Sequence, residues 1–177
     1  DNFNRKGIFN ISMVDNKLGL LKDEISKNKN VESIGTTSIP FGGVASEIGL
    51  KSKSNEENIA SYYYAADRQY IDNMQLKFVA GQNIPSTESD SAGNFVVLNE
   101  KAVERLQLGT PKDAIGKAVF LNNSYQLTVV GVVQNFCHFN YQFDIEPLVF
   151  QYNPNQFQVL SVKVNEDVSQ ATFLEEM

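Results

Sequence analysis

The chain has 177 residues, of which 42% are hydrophobic, 11% aromatic and 20% charged, enough apolar material for a sizeable core, so global disorder is excluded. Fifteen Lys and Arg against twenty-one Asp and Glu leave a net charge of -6, which argues against nucleic acid as a partner, because that binding needs clustered positive charge. The one cysteine, Cys137, excludes an internal disulfide or a paired-cysteine zinc site, and the one histidine, His138, excludes sites built on several imidazoles.

In chain order, residues 7–14 carry Ile8, Phe9, Ile11, Met13 and Val14 and predict a buried strand. Asp15 or Asn16 is placed to cap a helix in which Val14, Leu18, Leu21 and Ile25 line one apolar face. Lys27 and Lys29 close it near the negative pole of the helix dipole. Residues 31–39 predict a second strand, stopped by Pro40-Phe41-Gly42-Gly43. Residues 47–51 and 59–66 flank a polar connection and predict a hairpin-like pair. Asp67 caps a short helix with Tyr70, Ile71 and Met74 on one side, and a strand follows within 76–81. Residues 87–93 form a polar loop rich in serine and acids.

A second block opens with a short strand at 95–98 and a helix capped by Asn99, with Ala102, Val103 and Leu106 inward and Gly109 at its end. Thr110-Pro111-Lys112-Asp113 combines an N-cap, a proline at the first helical position and an acid, the pattern of a single turn. Residues 118–121 and 125–133 flank Asn122-Asn123-Ser124 and predict a β-hairpin. Strands at 148–152 and 158–164 are joined by a turn at Asn153-Pro154-Asn155. A helix begins near Asp167 with Val168, Ala171, Phe173 and Leu174 on an apolar stripe, and the chain leaves it after a few turns, so an excised piece of a longer protein is expected. No run approaches the roughly 20 apolar residues that cross a bilayer.

This order predicts an α+β fold. Residues 1–93 and 141–177 are expected to form a layered α/β subdomain with helices on one face of a sheet. Residues 94–140 are expected to form a β-rich inserted subdomain.

Chemistry-bearing residues give little. A thiolate–imidazole pair needs two side chains facing each other and a third group orienting the base. Cys137 and His138 are neighbours in an extended segment and point to opposite faces, so Cys137 reads as a small apolar filler. Glu56-Glu57, Asp144 with Glu146, and Glu175-Glu176 read as solvated charge rather than carboxylates facing across a cleft. Glu88, Asp90 and Asn94 share a loop without the spacing of a calcium site. Phe41-Gly42-Gly43 is not followed by Lys-Ser or Lys-Thr and reads as a turn rather than a phosphate cradle. In Tyr62-Tyr63-Tyr64, strand alternation puts Tyr63 on one face and its neighbours on the other. No catalytic residue, cofactor or metal is expected.

Several segments together resemble one family. Asn30-Val31-Glu32-Ser33-Ile34 with Ile39-Pro40 is similar to the opening of the MacB-like periplasmic core domain. Asp67-Arg68-Gln69-Tyr70-Ile71 with Leu76-Lys77-Phe78-Val79-Ala80-Gly81 resembles its short helix and the strand ending in an alanine-glycine corner. Val96-Val97-Leu98-Asn99-Glu100-Lys101-Ala102 and Asp113-Ala114-Ile115-Gly116-Lys117 resemble its next two signatures. Residues 128–136 with Ile145-Glu146-Pro147-Leu148-Val149 resemble its closing pair, so the likeness runs in order over about 30–150. Gln82 stands where the family usually has arginine, Asn135 replaces a common aspartate and Cys137 sits where histidine is frequent. These departures remove the basis for a charge pair there and leave the fold unaffected.

The resemblance implies an extracytoplasmic domain inserted after the first of four membrane helices of an FtsX-like permease. Its layered part would be related to the porter domains of efflux pumps. The parent would be an inner-membrane protein of an ABC transporter, with this domain in the periplasm. Its partners would be its own membrane helices, a second permease copy, a cytoplasmic ATPase acting through the membrane, and a periplasmic adaptor or substrate. The implied mechanism is transmission of ATP-driven motion, with no enzymatic step. Phe41, Gly42 and Gly43, together with the β-rich insertion and its Tyr125, are the expected partner-docking edge. The competing readings are a ligand-sensing domain of a membrane receptor and a free-standing hydrolase using Cys137.

Overall fold

Apolar alternation in short segments, broken by glycine, asparagine and proline, here builds two sheets rather than one. The computed structural model describes residues 3, 5–13, 17–53, 57–86, 92–122, 125–138, 144–165, 167 and 173. The caps expected at Asp15 and Asn16, the acids Glu88 and Asp90, and most of the final helix lie outside these residues. Among the described residues no helix is long and apolar enough to cross a membrane.

The smaller sheet has three antiparallel strands, β1 (Ile8–Ser12) and β2 (Val31–Thr37) flanking β10 (Val159–Val164). Helix α1 (Leu18–Ile25) covers one face, where Ile25, Ile34, Leu160, Val162 and Val164 are buried together. Phe9 stacks on Phe173 over the same core, with centroids 5.5 Å apart.

The larger sheet runs β5 (Phe78–Gly81), β8 (Tyr125–Val133), β6 (Phe95–Asn99), β9 (Leu148–Gln151), β4 (Ile59–Ala65), β3 (Ser46–Ser52) and β7 (Ala118–Leu121). Strand β7 then pairs again with β8, through Ala118↔Thr128 to Leu121↔Tyr125, so six of the seven strands close on themselves like a small barrel. Closure removes the open edges that a flat sheet would expose. The interior is filled by Leu50, Tyr63, Leu98, Val119, Leu127 and Val149. Two short helices pack onto that interior, α3 (Glu100–Arg105) and α4 (Pro111–Ala114), through Ala102, Val103 and Ala114. Their caps are local. Asn99 Oδ1 accepts from the Ala102 amide at 2.9 Å, and Thr110 with Asp113 forms a reciprocal capping box.

Sheet membership runs across the boundaries expected at 93/94 and 140/141. Strands β6, β7 and β8 lie in one sheet with β3, β4, β5 and β9, and of the closing pair of strands only β10 joins β1 and β2. The reason is visible in β9, where Leu148, Val149 and Phe150 are all fully buried. A strand apolar on both faces needs cover on both, and a central place between β4 and β6 supplies it.

Between the two sheets lies a third buried layer. Helix α2 (Arg68–Asn73) contributes Tyr70 and Ile71, and the outer face of the closed sheet contributes Tyr64, Val97, Leu148 and Phe150. Tyr63 faces the barrel interior while Tyr62 and Tyr64 face this layer, as strand alternation requires. All three cores are internal to the chain.

Candidate functional site

The junction between the sheets is assembled from backbone contact and one buried carboxylate. Gly35 in β2 lies directly against α2. A Cβ there would sit 2.4 Å from Tyr70 Cα and 2.5 Å from its nitrogen, so only glycine permits the approach. Backbone bonds then tie β2 to the end of β4: the Ser38 amide donates to Ala65 O at 2.8 Å, and the Asp67 amide to Thr36 O at 2.9 Å. Thr37 and Ala66 add an isolated antiparallel bridge. The Asp67 side chain, 4% exposed as a residue, accepts the Tyr70 amide on Oδ1 at 2.7 Å and the Thr36 hydroxyl on Oδ2. It therefore caps α2 and holds β2 with the same carboxylate. Lys22 Nζ of α1 lies 3.4 Å from Oδ2, so three elements meet at this residue. Ser33 Oγ donates to Asn73 Oδ1 at 2.8 Å one turn further along α2.

The predicted docking residues fall in two places. Residues 40–43 lead into the Ser46 end of β3, whereas Tyr125 pairs with Leu121, which in turn pairs with Leu50 towards the other end. The structure does not bring them together. Phe41 turns inward: its ring meets Phe3 at 4.9 Å, Tyr64 at 5.2 Å and Phe136 at 5.2 Å. Its amide donates to the Tyr70 hydroxyl at 3.1 Å, a phenol whose pKa burial pushes up. Gly42 has φ +93°, is exposed, and donates its amide to His138 O at 2.8 Å. A Cβ on Gly43 would sit 2.6 Å from Ile39 Cγ1. The apolar group this loop presents to solvent is the next residue, Val44, which is 89% exposed and was not singled out from sequence. Its only sequence signal is an isolated branched residue after a glycine pair. Tyr125 is 71% exposed on the closed sheet.

His138 and Cys137 differ in burial. His138 is buried, and its Nδ1 shares a hydrogen bond of 2.7 Å with the Tyr64 hydroxyl. Burial lowers the imidazole pKa from 6.5 to about 4, so the ring is neutral near pH 7. Cys137 is half-buried. Among the described residues no group of three or more His, Cys, Asp or Glu gathers as a metal site would require. Asn135 closes the start of α3, accepting the Lys101 amide on Oδ1 at 2.8 Å while its own amide donates to Glu100 Oε2 at 2.9 Å.

Several solved structures share this fold. The periplasmic region of MacB from Actinobacillus actinomycetemcomitans is 19% identical, with a TM-score of 0.66 over 96% of this chain and 78% of that one. The extracellular domain of the noncanonic ABC-type transporter YknZ from Gram-positive bacteria is 13% identical, with a TM-score of 0.63 over 97% of this chain and 88% of that one. A domain of a putative permease protein from Porphyromonas gingivalis is 15% identical, with a TM-score of 0.59 over 87% and 71%. None of the curated proteins matches the chain in sequence. The family is shown by its sequence profile: the chain belongs to the MacB-like periplasmic core domains, which match it over residues 9–177.

Proposed function

We propose that this periplasmic core domain is a mechanical coupler of an ABC transporter permease, carrying ATP-driven motion of membrane helices to a periplasmic partner or substrate without bond-making of its own. One observation supports this beyond family membership. The incoming and outgoing segments are neighbours in the small sheet: Ile8 pairs with Lys163, and the Val164 amide donates to Gly7 O at 2.9 Å. A displacement of the segments before β1 and after β10 would thus enter the molecule at one place. It would reach the closed sheet through Gly35 on Tyr70 and the bonds around Asp67. The two copies of the domain in a permease dimer would then approach or separate. The exposed tip at Gly42 and Val44, and Tyr125 on the closed sheet, are the docking positions in this account, with Phe41 and Gly43 shaping the loop from within. An inward role for His138 fits the same reading, since its Nδ1 shares a hydrogen bond with the buried Tyr64 hydroxyl.

The test uses the full-length permease with its ATPase in lipid. Spin labels on Tyr125→Cys in both copies should report a distance that differs between nucleotide-free and ATP-trapped states. An identical distance in both states would reject the coupler.

A further inference from the structure

A cleft of about 470 Å³ lies between α1 and the connection from β9 to β10. That volume falls in the range of small-ligand sites. Leu18 and Lys22 of α1 form one wall, and Tyr152 with Phe157 forms the other, their rings edge to face at 5.6 Å. Thr36, Asp67 and Leu160 also line it.

Two features show a place kept open for a guest. The first is Gly19, which lines the cleft from within α1. Glycine is the weakest helix former after proline, yet a Cβ at this position would meet nothing within 4 Å. No close packing explains the missing side chain; what its absence preserves is the width of the cleft. The second is Lys22. Asp67 already receives the Tyr70 amide and the Thr36 hydroxyl, while Lys22 Nζ makes only long contacts of 3.4 Å to Thr36 Oγ1 and Asp67 Oδ2. An ammonium has three donors, so at least one remains for an acceptor in the cleft.

The charges at the lining decide the class of guest. Lys22 and Asp67 cancel each other at close range. An added carboxylate would meet Asp67 as well as Lys22, and an added ammonium Lys22 as well as Asp67, so a net charge gains little beside a pair that is already neutral. A neutral carbonyl accepts from Lys22 without adding a charge, and an apolar ring fits against Tyr152, Phe157 and Leu18. We propose that this cleft is a binding site for a small, uncharged, ring-bearing amide. The proposal stands whether or not the domain transmits motion.

The test is amide-resolved NMR titration of the 177-residue chain with three probes sharing one ring: N-acetyl-phenylalaninamide, the anion N-acetyl-phenylalaninate and the cation phenylalaninamide. The neutral probe should shift the amides of 18–22, 36, 67 and 152–157 with an affinity on the order of millimolar. The charged probes should bind about tenfold more weakly. Gly19→Leu, which fills open space on an exposed helix, should abolish the shifts while leaving the thermal midpoint intact, and Lys22→Met should weaken them. Absent or non-saturating shifts would overturn the site, as would unchanged binding in Gly19→Leu and Lys22→Met. Tighter binding of either charged probe would overturn the assigned class.

Discussion

The two sheets solve the same problem in opposite ways. The larger one closes on itself: β8 pairs with β6 along one edge and with β7 and then β5 along the other, so its core is enclosed by its own strands. The smaller one is a single antiparallel layer with β1 and β2 as its edges, and its two faces are covered by α1 and by the layer around α2. A closed sheet carries its stability within itself, whereas a three-stranded layer depends on what it is pressed against. The junction at Gly35 and Asp67 is therefore as much part of the small sheet's stability as of any motion it conveys.

Substitutions sharpen the contrast in descending order. Phe150→Ala empties a fully buried site on β9 and should cost about 4 kcal/mol, with the whole chain unfolding in one transition in denaturant melts. Gly35→Val forces a side chain into the Tyr70 backbone and should cost about 3 kcal/mol. Its signature is spatial: amide exchange should accelerate in β1, β2 and β10 more than in β6 and β9. Equal acceleration throughout would mean that the two sheets do not differ in autonomy.

His138 supplies a pH test within the layer between them. Its folded pKa of about 4 lies below the ordinary 6.5, so between those values the unfolded chain takes up a proton that the folded chain excludes. Stability contributed by this group is complete above pH 6.5 and is lost as pH falls towards 4, by about 2 kcal/mol after allowance for partial solvation. His138→Gln should flatten that part of the pH profile, measured by urea midpoints. The smallest effect belongs to the exposed pair Lys27 and Glu24, 2.6 Å apart at the C-terminal end of α1. Lys27→Ala should change stability by less than about 0.5 kcal/mol.

Local chemistry made part of this legible from sequence. The caps Asp67, Asn99 and Thr110 with Asp113 act within three residues of themselves, and each forms in the structure. The β3–β4 and β7–β8 pairings join neighbouring segments and are antiparallel, as their alternation predicts. Strand β9 was different. Its parallel pairing of Leu148 with Tyr62 joins segments about half the chain apart and has no local signature, so grouping it with β10 missed the closed sheet. Gly35 reads as an ordinary residue in a strand until α2 is laid on it. The turn at residues 40–43 is legible in sequence, but Phe41 turns inward because Phe3 and Phe136, far away along the chain, complete its ring cluster. That left Val44 as the exposed apolar group.

The central claim is that the two sheets move as one body. Labels on Glu32→Cys in β2 and Tyr125→Cys on the closed sheet, placed in one copy of the full-length permease, would measure the distance across the junction with and without trapped ATP. The account predicts one narrow distribution, unchanged between the two states, which Gly35→Val broadens. A distance that shifts or splits with nucleotide in the unaltered junction would contradict it and make the junction a hinge.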